Sequence, residues 1–105
     1  MLIKYELEVS PKTLEKSFNK IINLTYKLLP MREEGGDWVK PLETIIEELA
    51  GMDRLLFGFQ GELFPILCKL EGLYSLTREE DFLLFRRVIF ECLALLNNLK
   101  YESFG

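Results

Sequence analysis

The 105 residues, 49% of them apolar, suit one compact domain that buries roughly two-thirds of the surface its unfolded chain exposes. Charged residues make up 29% and the net charge is −4, which excludes a disordered chain and gives no sign of a nucleic-acid mimic or polyanion binder. Histidine is absent, which removes Ser-His and Cys-His nucleophile pairs, His general bases and His-containing zinc sites.

Leu2 to Val9 alternates: Ile3, Tyr5, Leu7 and Val9 face one way, Lys4, Glu6 and Glu8 the other. That pattern predicts a short, half-buried N-terminal β-strand. The same charges interrupt any signal-peptide core. Ser10-Pro11 then starts a helix, with serine as N-cap and proline in the first turn. The helix is expected to stop at Leu29, before Pro30. Its core face is Leu14, Phe18, Ile21, Ile22, Leu24, Thr25, Leu28 and Leu29. Opposite lie Lys12, Lys16, Lys20 and Lys27, within about 80° of one another at 100° per residue. Such a row either follows a phosphate backbone or holds an acidic partner, as an anion-binding stripe, or is the solvated face that any amphipathic helix needs. No arginine or aromatic residue interleaves there to stack bases.

Residues 31–37 form a loop around Gly35-Gly36. Trp38, the only tryptophan, lies near Arg32. The two form a candidate loop anchor for a partner, or they close the end of the core. Asp37 or Lys40 caps a second helix with Leu42, Ile45, Ile46, Leu49 and Met52 inward. Gly51 predicts its end, and Asp53 a break. Residues 54–61 are ambiguous. A third helix runs from about Glu62 to Tyr74, with Leu63, Ile66, Leu67, Leu70, Leu73 and Tyr74 inward and Pro65 tolerated near its first turn.

The fourth helix, Thr77 to about Lys100, has the clearest pattern. Thr77 and Glu80 read as a T-x-x-E capping box. Phe82, Phe85, Val88, Ile89, Cys92, Leu93, Leu95, Leu96 and Leu99 form the main apolar face, and Arg87, Glu91 and Asn98 a polar strip. A second apolar stripe is Leu83, Phe90, Ala94 and Tyr101. A helix apolar on most of its circumference is central to a core or is half of an oligomer interface. Cys68 and Cys92 fall in apolar helical segments without a CxxC pair and read as reduced, buried thiols. A cytoplasmic chain is the expectation, with no membrane span.

No phosphate-binding glycine motif occurs. A metal site would have to be all carboxylate, yet the neighbours in Glu47-Glu48 and Glu79-Glu80-Asp81 diverge by about 100° each on a helix. No enzyme, cofactor or metal is expected. In size, acidity and lack of catalytic motifs the chain resembles small phage-encoded inhibitor proteins such as anti-CRISPR proteins. That resemblance is of character and rests on no motif. It implies action by occupying a protein partner. The reading is a mainly α, four-helix bundle-like single domain (1–105) with one N-terminal strand. It acts as a homo-oligomer that binds or blocks a protein; the alternative is a nucleotide or nucleic-acid binder using the lysine stripe.

Overall fold

The computed structural model describes residues 11–55 and 62–104. The strand expected at Leu2–Val9 lies outside them, as does most of the ambiguous 54–61 segment. Among the described residues there is no strand. The protein is mainly helical: α1 (Pro11–Glu33), α2 (Val39–Leu55), α3 (Phe64–Gly72) and α4 (Phe82–Phe104), with 3-10 turns at Leu73–Ser75 and Glu79–Asp81.

Helix α1 does not stop before Pro30 but passes through it to Glu33. The missing proline N–H orphans the Tyr26 carbonyl. Tyr26 and Pro30 are both exposed, so water can serve that carbonyl. The contacts that Arg32 makes one turn further on, with the carbonyls of Leu76 and Arg78 and the Phe85 ring, outweigh the local break signal. The true stop is a Schellman motif. Gly35 adopts φ 75°, the Gly36 N–H donates to the Met31 carbonyl at 2.8 Å, and the Gly35 N–H donates to Arg32 at 3.1 Å. Only glycine takes that left-handed position without a Cβ penalty. Asp37, not Lys40, then caps α2, its Oδ1 accepting from the N–H groups of Val39 and Lys40 at 3.2 and 3.4 Å.

Helix α2 also overrides its predicted end, continuing through Gly51 and Asp53 to Leu55. Nothing crowds Gly51 within 4 Å. Its helix cost of about 1 kcal/mol is smaller than what burying Leu49 and Met52 on either side returns.

Each helix packs on its two neighbours around a ring: α1 on α2 and α4, α3 on α2 and α4. Cross-contacts make every adjacent pair antiparallel. Ser17 and Lys20 in the first half of α1 line one cleft with Glu48, Gly51 and Met52 in the second half of α2. Arg32 meets Phe82 and Phe85 at the start of α4, and Pro65 and Ile66 at the start of α3 line another cleft with Leu99 and Glu102 near the end of α4. Tyr74, after α3, has its phenol pKa pushed up by slight desolvation and by the carboxylates of Glu43, Glu71 and Glu47, of which Glu43 lies in the first turns of α2. The result is an up-down-up-down bundle with short connections.

The core holds Leu14, Phe18, Ile21, Leu28, Leu42, Ile45, Leu49, Ile66, Leu70, Phe85, Ile89, Cys92 and Leu96, among others. The expected inward faces of all four helices are buried or half-buried, with one exception: Tyr74 is exposed. The chain tightens from α to 3-10 at Leu73, which rotates the next side chain off the core face. Thr25 is buried on α1 and satisfies its hydroxyl by donating to the Ile21 carbonyl at 2.7 Å.

The start of α4 is displaced by one residue from the expected Thr77/Glu80 box. The Arg78 N–H donates to Asp81 Oδ2 at 3.3 Å, and the Asp81 N–H donates to the Arg78 carbonyl at 2.9 Å. An arginine side chain has no acceptor, so only the carboxylate half of a capping box forms. The Arg78 guanidinium pairs instead with Glu80 and Asp81.

Candidate functional site

The main face of α4 is consumed by the bundle, and the second stripe lies on its opposite side. Leu83 is 75% exposed, Phe90 44% and Tyr101 74%, and Ala94 is exposed as well. These four form one straight seam along the outer side of the helix, since their positions stay within about 20° of one line at 100° per residue. Beside it lie Arg86, whose guanidinium stacks over the Phe90 ring at 5.4 Å, and Arg87, Asn97 and Asn98, all exposed. Asn97 donates through Nδ2 to the Leu93 carbonyl at 2.8 Å, which leaves its Oδ1 as an acceptor. Leu84, 48% exposed, lies beyond the polar strip of Arg87, Glu91 and Asn98 and does not belong to the seam. It escaped the sequence reading because it sits a full 100° from Leu83. Exposed apolar side chains aligned in one row mark an interaction site more often than scattered single ones do.

A second feature closes one end of the bundle. Arg32 projects from the last turn of α1, and its Nη2 donates to the carbonyls of Leu76 and Arg78 at 2.8 and 2.7 Å. Its guanidinium lies 4.8 Å from the Phe85 ring centroid and 5.4 Å from that of Phe82. Arg32 Nε is buried without a hydrogen-bond partner among the described residues. Trp38 meets Phe85 edge to face at 5.0 Å and is half-buried. The two candidate loop-anchor residues therefore converge on one aromatic of α4 and tie the α1–α2 turn to the α3–α4 turn. Beside them is an open cleft of about 530 Å³, lined among others by Arg32, Trp38, Thr77, Glu79 and Phe82.

The lysine stripe is exposed along α1 at Lys12, Lys16, Lys20 and Lys27. Lys20 is not a free cation: its Nζ pairs with Glu48 Oε1 at 2.6 Å. An acidic neighbour within the row weakens it as an anion track.

The two cysteines part company. Both are free thiols, but Cys68 is exposed and only Cys92 is buried, so the expectation of two buried thiols fails at Cys68. It sits on the outer side of the short α3, with Phe64 exposed one turn earlier. Burial pushes the Cys92 thiol up to about 12, with Lys69 opposing and Glu91 adding to the shift. A thiol-specific reagent at pH 8 should therefore label one cysteine per native chain and two in denaturant. Two labels on the native chain would place Cys92 outside the core. The sign for stability follows. Because the folded pKa lies above the ordinary 9.0, this group's contribution is complete below pH 9. It is lost as pH rises toward 12, where the unfolded chain gains by ionising.

Among the described residues, no three Cys, Asp or Glu side chains group so as to hold a metal ion, and no helix is long and apolar enough to cross a membrane. Comparisons with protein-family models, curated proteins and solved structures find no match.

Proposed function

We propose that the protein is a non-enzymatic interaction module, a homo-oligomer that binds or blocks a protein partner, in the manner of small phage-type inhibitors. The observation that carries this reading is the exposed seam Leu83, Phe90, Ala94 and Tyr101 on a helix whose other side is already core. A helix with two opposite apolar faces needs a second covering layer. The absence of histidine and the divergence of the acidic clusters support binding over catalysis. Free thiols at Cys68 and Cys92 suit a reducing compartment such as the cytoplasm. The anion-binding alternative draws on Lys12, Lys16 and Lys27, and the Lys20–Glu48 pair counts against it.

Light scattering at micromolar concentration is expected to give the mass of a dimer or larger assembly. Phe90→Glu, which buries a charge in any contact through the seam, should reduce that mass to a monomer while circular dichroism keeps most of the helix signal. A monomeric parent protein would sink the oligomer reading and leave the seam as a surface for a different protein.

A further inference from the structure

Resting on that reading, we propose that the second layer is another copy of α4, laid antiparallel across a two-fold axis at the level of Cys92. The argument is the spacing of the seam. Leu83, Phe90, Ala94 and Tyr101 are separated by seven, four and seven positions, a pattern that reads the same in both chain directions. When one copy is turned end for end about its midpoint, the seam falls on itself. Leu83 then faces Tyr101 of the second copy, and Phe90 faces Ala94. Each contact sets a large side chain against a smaller one, which is what close helix approach requires. A self-complementary patch of this kind is the signature of an isologous two-fold interface.

The polar flanks obey the same reversal. On one flank Arg86 comes level with Asn97 of the second copy, and on the other Arg87 with Asn98. All four are exposed in the single chain. Because Asn97 spends its amide hydrogen on Leu93, its oxygen is the acceptor that an incoming guanidinium needs. Parallel pairing would exchange the flanks and set Arg86 against Arg87 of the second copy at the same level, like charge against like. Glu91 approaches its own copy near the axis, but Lys69 of the same chain neutralises it at 3.4 Å. The occupant is thus set by the pattern itself: a second copy, reversed.

Charge exchange across the interface tests the register, with dimer dissociation followed by analytical ultracentrifugation. Asn98→Arg places a cation beside Arg87 of the second copy and should weaken the dimer by about tenfold or more. Adding Arg87→Glu should restore it to within about threefold of the parent. Within one chain the two positions are eleven residues apart, about 16 Å along the helix, so rescue cannot be internal. An unchanged dimer in Asn98→Arg, or a double variant as weak as the single, overturns the antiparallel register. If Phe90→Glu still splits such a dimer, the seam remains the interface in another arrangement. A parent protein monomeric at all concentrations overturns both this inference and the reading it rests on.

Discussion

Phe85→Ala is expected to cost roughly 3–5 kcal/mol, and Leu96→Ala roughly 2–5 kcal/mol. Both side chains are fully buried in α4. Phe85 carries more than its own volume, since Trp38 rests on its edge and the Arg32 guanidinium on its face. Truncation would leave a cavity and strand two neighbours at once. Small domains hold only about 5–15 kcal/mol in total, so either variant should shift the urea midpoint by a large fraction of its value. Costs under about 1 kcal/mol for both would mean the core lies on another face of α4.

The second large effect belongs to Arg32. Its Nη2 donates to two carbonyls of the α3–α4 turn, and hydrogen bonds from a charged donor contribute about 1.5–3 kcal/mol each before non-additivity. Arg32→Ala should therefore destabilise by about 2–4 kcal/mol. Arg32→Lys should recover less than half of that, because an ammonium cannot lie flat on two rings while reaching two acceptors. Full recovery by lysine would reduce the interaction to a point charge. Thermal melts of the two variants beside the parent protein decide between these outcomes.

Helical periodicity made most of this fold legible. The inward residues of α1, α2 and α4 follow a 3.6-residue period strong enough that tertiary packing only had to agree with it. Two of the differences, at the ends of α1 and α2, share one cause: the packing of residues beyond a local breaker outweighs it. Pro30 and Gly51 are ordinary stop signals, yet each lies inside a helix, because stopping would have displaced Arg32 from the α3–α4 turn in one case and exposed Met52 in the other. With α1 ended at Leu29, Arg32 fell in a loop, and its place one turn beyond Leu28 on the inward face went unread. The seam on α4 was legible because it repeats along a helix. The Arg32–Phe85–Trp38 cluster was only half legible, as it joins three segments distant in sequence. The start of α4 slipped by one residue because the Arg78 carbonyl also receives Arg32, a tertiary contact no local motif encodes.

The ring of helices has a bearing on how the chain is made. Because α1 packs against α4 as well as α2, the earliest-made of these four helices is completed by the last-made of them. A nascent chain that has emerged only through Ser75 can pair α1 with α2 and dock α3. It still presents Leu14, Phe18 and Leu70 without Phe85, Ile89 and Leu96 to cover them. Two chains passing that stage together on neighbouring ribosomes can each capture the other's α4 as it emerges, giving a domain-swapped product with the same core contacts. Production should accordingly be sensitive to translation rate and to chaperone supply at the stage just before α4 leaves the ribosome.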